Sequence, residues 1–188
     1  MNLLFKTLAL TFFFNASTAF ACSELGTFSS QDLFTGAKIE WKSETAKLAT
    51  VIVFLSATCP CSRSHEPILA EMAARYQSQG VLFFAVHANT NEPLVMTQAH
   101  FRESKLGFSV LEDTDARLAD VLGALKTPHA FVIDPKGKIL YHGGIDDSQA
   151  AEGAKKKYLD EVLTALLDKR ELPYEVTRTL GCVIQRKK

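Results

Sequence analysis

The run Thr50-Val51-Ile52-Val53-Phe54-Leu55, passing through Ser56-Ala57-Thr58 into Cys59-Pro60-Cys61-Ser62, constrains this chain most. Val51 to Leu55 is apolar and rich in β-branched residues, too short for a helix that must bury itself, and small polar residues end it. It reads as a central strand. Pro60 suits a first helical position, because its φ is already helical and its missing N–H would have had no partner there. A helix therefore starts beneath Cys59. Unpaired N–H groups at that start, together with the helix macrodipole, favour negative charge and lower the pKa of a thiol, so Cys59 is the candidate nucleophile. Downstream, Ile68, Leu69, Met72, Ala73 and Tyr76 recur at helical spacing and predict the face turned to the sheet, with Arg63, Glu66, Glu71 and Arg75 turned to water. Pro67 predicts a kink.

The rest of the chain supplies a sheet around that strand. Phe34-Thr35-Gly36-Ala37-Lys38 reads as a hairpin turn and Ile39-Glu40-Trp41 as a short strand, with Trp41 packing against the core. After Gly80, Val81 to His87 is a second buried strand, which makes a β-α-β crossover. A loop, Asn89 to Pro93, leads to a helix from Leu94 to Lys105. Phe108 to Leu111 is the next strand, and Asp113 caps a helix that ends at Gly123. Ala130 to Ile133 and Ile139 to Gly144 form an antiparallel pair about the turn Asp134-Pro135-Lys136-Gly137-Lys138. A last helix is expected over residues 151–170, and Asp146-Asp147 reads as a helix-starting pair. Pro173 then stops the chain before a tail that carries Cys182.

Met1 to Ala21 holds a lone Lys6, an apolar run and Ala19-Phe20-Ala21, a small-x-small cleavage pattern, and is expected to be a secretory signal. Asn15, Ser17 and Thr18 break the run well short of the roughly 20 apolar residues that a membrane anchor requires. Cys22 follows the expected cut directly, which raises a lipoprotein signal as an alternative, although Phe20 suits that poorly. Removal of the leader leaves 20 Lys and Arg against 21 Asp and Glu, a net charge of about −1. Such a balance points to no nucleic-acid partner, and no stable membrane insertion is expected.

The strand, Cys59, the proline eight residues later and Pro67-Ile68-Leu69-Ala70-Glu71-Met72-Ala73 resemble the active-site segment of the thioredoxin superfamily. The resemblance implies an α/β, thioredoxin-like fold with a central mixed sheet flanked by helices. Residues 22–170 would form the redoxin domain, with an N-terminal hairpin extension, and residues 171–188 the C-terminal tail. Where thioredoxin has Cys-x-x-Cys, this chain has Ser62 at the second position and Cys61 one residue early. Thr127-Pro128 matches the family's cis-proline, and by resemblance the backbone at Thr127 aligns a sulfur-bearing substrate. Together with Tyr141-His142-Gly143-Gly144-Ile145-Asp146-Asp147 and Gly181-Cys182-Val183-Ile184, these segments resemble a bacterial group of exported redoxin-domain proteins related to the AhpC/TSA family. The resemblance implies a periplasmic protein.

The four cysteines allow three complete pairings, and an exported location permits any of them. A Cys59–Cys61 bridge closes a small, strained ring, a Cys59–Cys182 bridge ties the tail over the nucleophile, and a Cys22–Cys182 bridge staples the termini. Three functions follow. In a thiol-disulfide oxidoreductase, Cys59 attacks a substrate disulfide and Cys61 or Cys182 resolves the mixed disulfide, with Thr127, Pro128, Ser56 and Ser62 positioning the substrate. In a peroxidase, Cys59 attacks peroxide; Ser56 suits the peroxiredoxin pattern, but Ile52 stands where that pattern has proline. In a Cu(I) carrier, Cys59 and Cys61 bind the metal with His65 or His129. The first reading is preferred. It requires an unidentified reductant and a protein or small-molecule thiol partner, and implies no organic cofactor.

Overall fold

The computed structural model describes residues 24–187; the expected signal Met1–Ala21 and Cys22 lie outside the described residues. The chain starts with a hairpin, β1 (Thr27–Asp32) and β2 (Lys38–Lys42), paired antiparallel. Strand β3 (Ala49–Leu55) then enters the core, where all seven residues are buried. Helix α1 (Pro60–Tyr76) returns the chain to β4 (Val81–His87), which lies parallel to β3. Helix α2 (Leu94–Ser104) leads to β5 (Ser109–Glu112), parallel to β4. Helix α3 (Arg117–Leu122) precedes the two-residue strand β6 (Lys126–Thr127). Strands β7 (His129–Ile133) and β8 (Ile139–Gly143) pair antiparallel. Helix α4 (Tyr158–Leu167) and a two-residue strand, β9 (Cys182–Val183), complete the order.

Seven strands form one mixed sheet, ordered β2-β1-β5-β4-β3-β7-β8, with β3 flanked by β4 and β7. Strand alternation sends Val51, Val53 and Leu55 to the face covered by α1, α2 and α4, and Ile52 and Phe54 to the face covered by α3. Burial on both faces explains why β3 carries no polar alternation; each large side chain so buried contributes on the order of 1.5–3 kcal/mol. Trp41 packs on the second face, stacked on Phe28 at 5.1 Å, and its Nε1–H donates to Thr50 Oγ1 at 3.1 Å. It serves the core, as its neighbours in sequence imply.

Three expectations about helices need correction. Helix α4 spans ten residues rather than twenty, because the segment before it is a short 3₁₀ turn at Ala151–Gly153 followed by irregular chain. Asp146 and Asp147 start no helix. Asp146 is buried and accepts the Ser148 N–H, while Asp147 accepts the N–H groups of Lys155 and Lys156. In α1, Glu66 does not face water; it is buried beside His100 Nε2 at 2.7 Å, a partner that α2 supplies and local periodicity cannot reveal. Asp113 does act as the expected cap, accepting the N–H groups of Leu118 and Ala119 at 2.9 Å each.

Candidate active site

Strand β3 delivers the chain to the turn Ser56-Ala57-Thr58, and side chains buried beneath that turn hold it. Ser56 Oγ accepts the N–H of Cys59 at 3.1 Å and of Thr58 at 3.3 Å, and donates its own hydrogen to Glu92. The Ser56 N–H donates to Ser62 Oγ at 3.2 Å. Glu92 also accepts the Ala57 N–H and the Thr58 hydroxyl, each at 2.9 Å. Behind Glu92 stands His87, with Nε2 3.2 Å from Glu92 and Nδ1 2.8 Å from Glu112. Burial opposes charge on both groups, yet the hydrogen bonds that His87 makes to Glu112 and Glu92 raise it to about 9, and those from His87, Ser56 and Thr58 lower Glu92 to about 2. The sequence reading missed this carboxylate: Glu92 looks like a loop charge, and its partners at Ser56 to Thr58 lie more than thirty residues upstream.

Cys59 sits at the N-cap of α1 with Pro60 in the first turn. It is only 1% exposed, and its thiol donates to the Thr127 carbonyl at 3.2 Å. The Thr127–Pro128 peptide is cis, as the resemblance implies. Thr127 is also the ladder partner of Cys182 in the antiparallel β6–β9 pair. The tail thereby brings its cysteine to the nucleophile, and the sulfurs of Cys59, Cys61 and Cys182 all lie within 4.8 Å of one another. Burial raises the Cys59 pKa, but hydrogen bonds from Cys182 and the Ser62 backbone lead the effects that outweigh it and bring the thiol down to about 7. Burial and the adjacent Cys59 push Cys182 up to about 12 and also raise Cys61. Near neutral pH, one of the three sulfurs ionises ahead of the other two.

Glycines admit the tail. Gly143 Cα faces Thr177 so closely that a Cβ would stand 2.9 Å from the Thr177 nitrogen. Thr177 N–H donates to the His142 carbonyl at 3.1 Å, and Tyr141 Oη lies 2.6 Å from Thr177 Oγ1. Gly181 has φ +154°, and a Cβ there would collide with the Thr127 carbonyl oxygen and stand 2.7 Å from its carbon. Beyond Cys182, the Ile184 N–H donates to Leu125 O at 3.0 Å, Gln185 N–H to Asn89 Oδ1 at 2.7 Å, and Arg186 to Asp120 and Ala124 O at 2.7 Å each. Asn89, which the sequence places only in a loop, is one of the tail's anchors.

The AhpC/TSA family model matches residues 23–142, well over half of the chain. The chain belongs to the AhpC/TSA family. Among curated relatives it is similar to the thiol-disulfide oxidoreductase ResA of Bacillus subtilis, 30% identical over 81 residues. That alignment covers 43% of this chain and 44% of ResA, so the chain spans less than half the length of the curated relative it matches. Among solved structures it is similar to an uncharacterized conserved protein of Geobacillus kaustophilus, with TM-score 0.80, 25% identity and coverage of 89% of this chain and 92% of that one. It also shares its fold with a secreted disulfide oxidoreductase of Mycobacterium tuberculosis, with TM-score 0.56, 19% identity and coverage of 75% and 95%. The thioredoxin-like α/β fold expected from the active-site segment is the fold observed.

Within this AhpC/TSA chain the other sequence-chosen residues divide. Ser56 and Ser62 are buried and hydrogen-bonded to the loop itself, and Thr127 contacts Cys59 through its backbone. The two histidines considered as copper ligands are not in the sulfur cluster. His65 is buried in α1, with Nδ1 2.6 Å from the Cys61 carbonyl and Nε2 3.1 Å from Asp146, and these hydrogen bonds raise its pKa against the effect of burial. A histidine weighed as a copper ligand is thus a tie between α1 and the loop after β8. His129 stacks on Phe131 at 4.4 Å, and burial drives it down to about 3, so it is a neutral imidazole. Among the described residues, no helix is long and apolar enough to cross a membrane.

Proposed function

We propose that this protein is a thiol-disulfide oxidoreductase in which Cys59 is the attacking thiolate and Cys182 the resolving thiol. The observation that carries this reading is the convergence of the two sulfurs beside Thr127, with Cys59 depressed to about 7. The Cys59 thiolate attacks one sulfur of a substrate disulfide, and the expelled substrate sulfur takes up a proton. Cys182 then loses its proton and attacks Cys59 in the mixed disulfide, releasing the second substrate thiol. Two electrons pass to the substrate, and the protein keeps a Cys59–Cys182 disulfide until an external thiol reduces it. On that return step Cys59 is the better leaving group, because the lower-pKa sulfur departs faster. The incoming thiol therefore attacks the half-buried Cys182 rather than the buried Cys59.

Cys182 is preferred to Cys61 as the resolving thiol for a geometric reason. The Cys61 sulfur is as near, within 4.8 Å, but a bridge between residues two apart at the helix start closes a small, strained ring. Cys182 arrives across a strand ladder. Ser56, Ser62 and Glu92 hold the loop that presents Cys59, and Thr127 holds the thiol. The secretory signal expected at Met1–Ala21 supports the reading of export to an oxidising compartment, the bacterial periplasm, where the disulfide would persist.

The test is disulfide mapping by mass spectrometry on purified protein, before and after stoichiometric oxidised glutathione and, separately, hydrogen peroxide. Rapid exchange that yields a Cys59–Cys182 bridge with Cys61 free is expected. Indifference to the disulfide with rapid oxidation by peroxide would replace this reading with a peroxidase, and a Cys59–Cys61 product would remove Cys182 from its role.

A further inference from the structure

Three cysteine sulfurs converge where the disulfide cycle employs two. They come from two elements of structure: Cys59 from the N-cap of α1 and Cys61 from its first turn, and Cys182 from β9, which is held against β6. All three lie within 4.8 Å of one another, and none is bridged to another. The proposed cycle leaves Cys61 without a task.

We propose that the reduced protein binds one Cu(I) ion through a trigonal set of three thiolates, Cys59, Cys61 and Cys182. This site uses sulfurs of the proposed cycle but does not depend on that cycle. A metal–sulfur bond of about 2.3 Å, the length found for zinc thiolates, puts three sulfurs in a plane about 4 Å apart. The observed spacing reaches that by small rotations about Cα–Cβ. Thiolates are soft donors and select Cu(I) or zinc among common ions. Structural zinc takes four ligands, whereas the cluster holds three sulfurs and, among the described residues, no histidine or carboxylate joins it. His65 is committed to the Cys61 carbonyl and Asp146. A monovalent soft ion that accepts three ligands suits this set.

Each thiol still protonated loses its S–H proton to the buffer, up to three in all, as three Cu–S bonds form with no change in oxidation state. The site is net negative, which the N-terminus of the 17-residue α1 favours through its exposed N–H groups and dipole. Copper occupancy and the Cys59–Cys182 disulfide are then mutually exclusive states of the same sulfurs.

The experiment is an oxygen-free titration of the fully reduced protein with Cu(I) against the chromophoric chelator bathocuproine disulfonate. X-ray absorption at the copper edge counts the sulfurs, and zinc is titrated in parallel. One Cu(I) with three sulfurs is expected. Cys61→Ser or Cys182→Ser should lower affinity by at least about 100-fold, at or beyond the upper end of what losing even an outer-shell partner costs. No retention against the chelator, two sulfurs per copper, zinc retained in place of copper, or a Cys182→Ser variant that binds like the parent would each overturn the site. Cys61→Ser separates it from the oxidoreductase reading, because that variant should lose copper while still forming the Cys59–Cys182 bridge with oxidised glutathione.

Discussion

Glu92 lies 3.2 Å from His87 Nε2, and the same carboxylate holds the turn that presents Cys59. Both side chains are almost wholly buried, at 2% and 3% exposure. Replacing Glu92 by Gln keeps the volume and one acceptor but removes the charge that faces His87. Breaking a buried pair by removing one partner typically costs about 3–5 kcal/mol. Urea unfolding at pH 6 should show a loss of about that size, and a change within about 0.5 kcal/mol, as for an ordinary surface substitution, would mean that the pair does not support the loop.

The same pair sets the dependence of stability on pH. His87 is raised to about 9, so its contribution is complete below its unfolded value near 6.5 and is lost as pH rises through 9. Glu92 is lowered to about 2, so its contribution is present above its unfolded value near 4.3 and is lost as pH falls through 2. Denaturant midpoints should therefore be highest between about pH 4.5 and 6.5 and should decline toward pH 9. The decline should be weaker in Glu92→Gln; an identical alkaline slope in the variant would refute the assignment.

Cys59 should alkylate with iodoacetamide along a pH profile whose midpoint lies near 7. Cys182→Ser removes the sulfur whose hydrogen bond contributes most to lowering that value, so the midpoint should move up. A midpoint that stays in place would assign the lowering to groups other than Cys182. Cys59→Ser should abolish the fast-reacting thiol and leave circular dichroism unchanged.

Gly181→Ala tests the seat of the tail. The added Cβ would collide with the Thr127 carbonyl oxygen, so β9 should leave β6 while the seven-stranded sheet persists. Formation of the Cys59–Cys182 bridge by oxidised glutathione should slow by roughly tenfold or more, because a loose tail lowers the effective concentration of Cys182. Cys182 amide exchange should accelerate in parallel. Unchanged kinetics would mean that the ladder does not present the resolving sulfur.

Elements with strong local signals were legible. The apolar run of β3, the proline at the start of α1 and the periodicity of its core face each carry their information within a few residues, and Gly80, by its backbone freedom, and Asp113, by its capping carboxylate, mark element boundaries. The extent of α4 was over-read, because polar residues of Ala151–Lys157 continue a plausible pattern that the loop's own hydrogen bonds to Asp147 interrupt. Periodicity assigned Glu66 to water, and a partner on α2 buried it; His65, weighed as a copper ligand, is tied instead to the loop after β8.

The sequence by itself determined that a buried strand feeds a helix start, that Cys59 stands there, and that a Thr-Pro pair precedes the next core strand, because strand burial, helix initiation and proline geometry are local. Tertiary structure alone decided which cysteines meet and which carboxylate supports their loop. Cys182 reaches Cys59 only because Gly143 and Gly181 let a tail lie against the sheet end, and Glu92 reaches Ser56 only because β4 lies parallel to β3. Contacts of that kind are set by chain segments tens of residues apart, and no window along the chain contains both sides of them.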